Sequence, residues 1–207
     1  MRDLEVNGSR VRILPCIKGL VSEGERVREA VENLNPDVLA ISIGREELSG
    51  LRELEEDFEY EMSGIERAYA DGLSEFGEVV LPPPCYTSAL ETAEGMGIPI
   101  IPIDMNEELY SATYCVSVGT ADLIKESFLS KRVEKLRFDL SSPGEFVMDW
   151  DRRVNRSKGF SSLQAKREDH MAKVLRRMSK RYRNILAVVE LERSEGVLSS
   201  LDRDTGR

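Results

Sequence analysis

Residues able to do chemistry are sparse in this 207-residue chain, and their spacing excludes several kinds of site. The three cysteines, Cys16, Cys85 and Cys115, stand far apart with no CxxC pair, so neither a disulfide framework nor a zinc knuckle is expected. His170 is the only histidine, which excludes a His-rich metal site within one subunit. Beside Asp169 on the polar side of an amphipathic stretch, it reads as a surface residue. Cys16 has Lys18 two positions on, and an ammonium near a thiol favours the thiolate and hence nucleophilic or redox work. The plainer reading is a small buried hydrophobe. The apolar run Ile185–Val189 stops at Glu190 and continues as Leu191, Glu192, Arg193, Ser194, Glu195 and Gly196. A buried strand opening into a charged loop is a common place for a functional group in α/β proteins.

Such groups need strands and helices to hold them. Val11–Pro15, Val38–Ile43, 98–104 and 184–190 read as strands, with 78–82 as a further candidate. Continuous rather than alternating apolar runs suit strands covered on both faces, as in a parallel sheet. Pro99 and Pro102 suggest an edge or irregular position for their strand. Helical patterns lie between them. Ser22–Leu34 carries Val27, Ala30, Val31 and Leu34 on one face, with Ser22 and Glu25 at capping-box spacing. Residues 46–76 read as largely helical and acidic, and the run 52–61 as a solvated helix face. Residues 86–96 end at Gly97 in a C-terminal cap. Residues 107–136 form one or two helices, and Leu163–Tyr182 is an amphipathic helix with Met171, Val174, Leu175 and Met178 as its stripe. Residues 138–162 are the least regular and read as a flexible flap or loop. The expectation is a single α/β domain over 1–207 with a mainly parallel sheet.

The chain is 41% hydrophobic and 32% charged, the balance of a soluble globular protein, and no run reaches a membrane-spanning length. The opening "MRDLEVNGSRVRIL" has no apolar core of a signal peptide, so a cytoplasmic location is expected. Residues 151–183 hold twelve Lys/Arg against three acids, while the whole chain carries −9. That asymmetry suits a nucleic-acid patch, or equally a basic helix docked on acidic neighbours or on a second subunit; the acidic remainder repels phosphate and disfavours the first. Apolar residues in 107–136 and 138–162 exceed what a small sheet covers, which suggests a homodimer or a protein partner.

The closing stretch "KREDHMAKVLRRMSKRYRNILAVVELERSEGV" resembles the end of the TraB family (the PrgY/GumN-like group, related to the erythromycin-esterase and Tiki folds), where ERDxxMAxxL precedes a strand and loop of the form VVAVVGAGHxxGI. "VSEGERVREAVENLNPDVLAISIGREELSGL" is similar to the family's SxxSVxxVxxAIxxxxPDVVAVELCxxRxxxL, and "YTSALETAEGMGIPIIPIDMNEELY" to its ExxAAIxxAxxxGAxVVLIDRDIxxTL. The resemblance covers about 11–48, 82–112 and 163–201. Carried across by position, the family's GTxHxS falls on 15–20, so its histidine is Lys18. The glutamate of VELC is Ser42 and its cysteine Gly44. The GE before the third helix is Pro84 and Cys85, the arginine of IDRD is Met105, and the histidine of GAGH is Arg193, with its glycine at Glu190. Asp104, Arg167, Glu168 (for Asp) and Gly196 survive.

The resemblance implies a TraB/erythromycin-esterase-like core without the membrane-associated C-terminal portion of larger relatives, and a site stripped of the imidazoles and carboxylate that would ligate a metal or move protons. No metal and no cofactor is expected. Lys18, Ser42 and Arg193, with Arg167, are expected either to form a pocket for a small anionic ligand or to be polar residues filling a defunct cleft; Cys16, Cys85, Asp104 and Glu168 complete the candidate set. The first functional reading is a non-catalytic ligand- or partner-binding module. The alternatives are a peptidase- or esterase-like hydrolase with a remodelled site using Cys16, Cys85 or the surviving carboxylates Asp104 and Glu168, and nucleic-acid binding through 151–183.

Overall fold

A computed structural model describes residues 1–54 and 62–203. They form an α/β protein with a five-stranded sheet in the order β1(Arg2–Val6), β2(Ser9–Cys16), β5(Asn184–Glu190), β3(Val38–Ile41), β4(Ile100–Pro102). β2, β5, β3 and β4 are mutually parallel. The pairing of β1 with β2 is antiparallel. β1 lies outside the strands legible as apolar runs. It is joined to β2 through Asn7 and Gly8, whose φ values of 53° and 75° fit the tight Asn-Gly hairpin turn. β4, with its two prolines, sits at the opposite edge, where missing N–H donors cost no ladder bonds. The 78–82 run is no sheet strand; Val79 makes only an isolated bridge to Leu20.

Both sheet faces are covered, which is why the strands read as continuous apolar runs. One face packs Val11, Ile13, Val38, Ile185, Ala187 and Val189 against α8(Lys158–Met178) and α9(Leu191–Asp202). Met171, Leu175 and Met178 supply the α8 stripe, and Val197 and Leu201 that of α9. The other face packs Leu14, Leu39, Ile41, Leu186 and Val188 against α1(Val21–Leu34) and α4(Pro84–Met96) through Val27, Val31, Ala89 and Ala93. α4 ends at Gly97 in the left-handed conformation, φ 67°. The start of α1 differs from expectation. The helix begins at Val21, its N-cap is Leu20 with no side-chain cap, and Glu25 pairs with Arg28 rather than closing a capping box. Glu23 instead accepts from the Ile17 N–H at 3.2 Å.

The 46–76 region contains α2(Arg45–Arg52) and α3(Gly64–Leu73); the acidic run 52–61 lies outside the described residues from position 55 onward. Residues 107–136 give α5(Glu107–Ser117) and α6(Thr120–Ser130), which rest on α8 through Tyr114, Val118, Phe160 and Leu163. Their outer surface leaves Val116 at 82%, Ile124 at 54% and Phe128 at 59% exposure, the residues behind the expected homodimer. Among the described residues no helix is long and apolar enough to cross a membrane.

The expected flap at 138–162 is the largest departure. It holds α7(Pro143–Val154) and the first turn of α8. Ser142 accepts from the Glu145 N–H at 3.1 Å and Pro143 occupies the first turn, a helix-start signal that the irregular composition masks. α7 packs on α3 through a separate aromatic cluster: Phe146 is fully buried and meets Tyr69, Phe138 and Trp150 with ring centroids 5.7, 5.7 and 5.9 Å away. This cluster, with Ile17, Leu20 and Leu73, caps the C-terminal end of the sheet. Phe146→Ala is expected to cost about 3–5 kcal/mol of stability, as large aromatic truncations in a packed core do. Urea unfolding followed by Trp150, the sole tryptophan, measures it; a loss below about 1 kcal/mol would mean α7 is loosely docked.

Candidate functional site

The parallel strands end level with one another, and this sets the site. Cys16 aligns with Glu190, Val188 with Ile41, and Ile41 with Pro102. Lys18, Ser42, Asp104 and Glu190 therefore emerge side by side. The chain leaves β2 and β3 toward the face that holds α1 and α4, whereas β5, between them, runs directly into α9 on the opposite face. Neighbouring strands whose connections diverge open a crevice at their carboxyl ends, the place where α/β folds seat ligands. The residues after Val189 are not the expected charged loop: Glu190 closes the strand and Leu191 begins α9.

Glu190 is the centre. Its side chain is 6% exposed and accepts from Lys18 Nζ at 2.8 Å, while Arg167 Nη2 stands 3.8 Å from its other oxygen. Burial alone would raise its carboxyl, but Lys18 and Arg167 outweigh burial and bring it down to about 2. Lys18 is pushed well above its ordinary range in return: burial lowers it, and Glu190 and Glu192 more than compensate. Arg167, on α8, also binds Asp104 through Nε at 2.9 Å and through Nη2. Ser42 accepts the Glu190 N–H at 3.1 Å and shares a 2.9 Å hydrogen bond with the Tyr86 hydroxyl. Ser42 thus holds the strand end in place from below.

Arg193 stands one turn into α9, 4% exposed, and does not join Lys18 around an anion. It binds Glu168 of α8 at 2.8 Å and pairs with Asp151 of α7. Burial raises the Glu168 carboxyl, with Arg193 opposing it and Asp151 adding to it. Gly196, one turn further along α9, lies where any Cβ would overlap the Glu168 carboxylate. The two groups are linked through side chains: Arg167 donates to Gln164 at 2.8 Å, Gln164 to Asn155 at 3.3 Å, and Asn155 to Asp151 at 2.7 Å. Beyond Arg193 a cleft of about 470 Å³ opens between α7 and α8, walled by Asp151, Arg152, Asn155, Arg156, Gln164 and Glu168.

Of the eight residues singled out by sequence, the structure gathers Lys18, Ser42, Asp104 and Arg167 around Glu190, and places Glu168 and Arg193 in the adjoining triad with Asp151. Cys16 and Cys85 do meet, both wholly buried, through a thiol–thiol hydrogen bond that, together with burial, raises Cys16 well above its ordinary value. That is the reverse of an activated thiol. The positive charges are not an open anion site, because each is met by a carboxylate. His170 is half-buried on α8, and burial pushes its imidazole down from 6.5. Among the described residues no three His, Cys, Asp or Glu side chains converge closely enough to hold one metal ion. The basic 151–183 stretch is partly spent internally: Arg152 and Arg153 on Asp149, Lys173 on Asp169, Arg167 on Asp104.

Sequence reading missed Glu190, Asp151 and Tyr86. A signal for the first was present: a glutamate closing a continuous apolar strand must be buried, and a buried carboxylate demands cations. The sequence matches no known family model and no curated protein.

The depressed carboxyl makes stability depend on acid. Glu190 stabilises the fold above its unfolded value of 4.5, and that contribution is lost as pH falls toward about 2. Glu190→Gln is expected to cost about 3 kcal/mol at neutral pH, the lower end for a broken buried pair because Lys18 keeps some solvent, and to flatten the stability curve between pH 4.5 and 2. Urea titrations across pH check both; an unchanged acid limb would place the titration elsewhere. Gly196→Ala is a second case. Alanine gains about 1 kcal/mol of helix propensity, but displacing Glu168 from Arg193 forfeits a charged hydrogen bond worth about 1.5–3 kcal/mol. Net destabilisation is expected by thermal unfolding, and net stabilisation would show that Glu168 swings aside freely.

Proposed function

We propose that this chain is a non-catalytic ligand-binding protein built on a TraB-like α/β core. The reading rests on one observation: Glu190 is locked between Lys18 and Arg167 at the strand ends, where the family resemblance puts an imidazole at position 18 and a carboxylate at position 42. General acid–base work needs a group that gains and loses a proton near neutral pH. Glu190 is held near 2, Lys18 is driven upward, and guanidinium does not deprotonate. A divalent cation at that place would meet an ammonium and a guanidinium first. What the arrangement still offers is a rigid polar frame feeding the α7–α8 cleft, and binding is the role it suits.

The remodelled hydrolase is the second reading, favoured by Glu168 and Glu192, whose carboxyls burial pushes up. Its two candidate cysteine nucleophiles, Cys16 and Cys85, are fully buried.

Iodoacetamide at neutral pH separates the two. Native protein is expected to label at exposed Cys115 alone, with Cys16 and Cys85 reacting only after unfolding. Fast native labelling of either buried thiol overturns the non-catalytic reading. So does thermal stabilisation of several degrees by micromolar Zn²⁺, Mn²⁺ or Co²⁺, because it would reveal a competent metal site.

A further inference from the structure

The α7–α8 cleft has charges of both signs, sorted by depth. Arg193 lies at the floor with its side chain 5% exposed. Glu168 and Asp151 come next at 17% and 23%. Arg152, at 76%, stands at the rim beside exposed Arg156. Two carboxylates share the one buried guanidinium, so the floor carries an excess negative charge. Burial already raises the Glu168 carboxyl, with Asp151 reinforcing it, and an added cation would offset the repulsion between the two carboxylates. The rim is the reverse. Arg152 is paired with Asp149, and no ion pair places a described carboxylate on Arg156. Asn155 and Gln164 line the wall between, already oriented by their hydrogen bonds to Asp151 and Arg167.

We propose that this cleft binds a small zwitterion, a free amino acid or a short peptide, with its ammonium on Asp151 and Glu168 and its carboxylate at Arg152 and Arg156. A simple anion would meet the acidic floor, and a simple cation would leave the rim's excess positive charge unanswered, since Arg152 shares Asp149 with Arg153 and Arg156 is in no ion pair with a described carboxylate. The volume of about 470 Å³ falls in the range of small-ligand sites and holds one to three residues. Charge-assisted hydrogen bonds at both ends supply selectivity over singly charged analogues. The inference rests on the ligand-binding reading above.

Titration calorimetry with L-alanine and L-alanyl-L-alanine, against N-acetyl-alanine and alaninamide, tests it. Saturable binding is expected for at least one of the first two, and the one that binds distinguishes an amino acid from a peptide as the natural ligand. Both blocked analogues are expected to bind about tenfold or more weakly, and Glu168→Gln and Arg156→Ala each to lower affinity about tenfold. Arg156 is exposed, so its substitution leaves the fold intact and keeps the test valid should Glu168→Gln unfold. Equal affinity for the blocked analogues, or no binding of either zwitterion at 10-millimolar order, overturns the proposal. If acetate or phosphate binds instead, the zwitterion fails while ligand binding stands. If alanyl-alanine is bound and cleaved, zwitterion recognition stands and the non-catalytic reading falls.

Discussion

The arrangement of this protein depends on one buried carboxylate at the end of the central strand. Glu190 lies between β2 and β3, in the crevice where the chain turns to opposite faces of the sheet. A carboxylate there is costly unless paired, and a single partner would not suffice. It draws Lys18 from the end of β2, Arg167 from α8 and, through its backbone N–H, Ser42 from the end of β3. Three elements remote in sequence are thereby fixed relative to one another.

The same economy of charge extends outward. Arg167 is shared with Asp104 after β4, and Arg193 ties α9 to both α7 and α8. Each cation reaches more than one element, so the polar layer sets the angle of the helices as much as the apolar core does. The glycine at 196 belongs to this scheme, since the approach of Glu168 requires the absence of a side chain there. A surface ion pair contributes little, but these groups are mostly withdrawn from water, and their pairing makes the layer rigid.

This rigidity is the physical ground for the binding role proposed above. Groups in a catalytic site sit near the pH at which they must exchange protons. Here the fields around the central pair push Glu190 down, Lys18 up and the Cys16 thiol up, whereas burial raises the Glu168 and Glu192 carboxyls. The cleft alongside is different, with two carboxyls on one guanidinium and arginines turned to solvent.

The α/β class, four of the five strands and the main amphipathic helices were legible in the sequence, because continuous apolar runs and 3.6-residue stripes report burial directly. So were most of the charged residues that meet at the strand ends, including Lys18, Asp104 and Arg167. Their pairing was not legible. Whether Lys18 faces an anion or a carboxylate depends on which strand lies beside β2, and the insertion of β5 between β2 and β3 is a long-range choice with no local signal. The Asn-Gly hairpin and the Ser-Pro start of α7 carried local signals weaker than the irregular composition around them. The residue types set which charges are present; only the tertiary structure decided which of them cancel, because Coulomb pairing acts through space across segments more than a hundred residues apart in the chain.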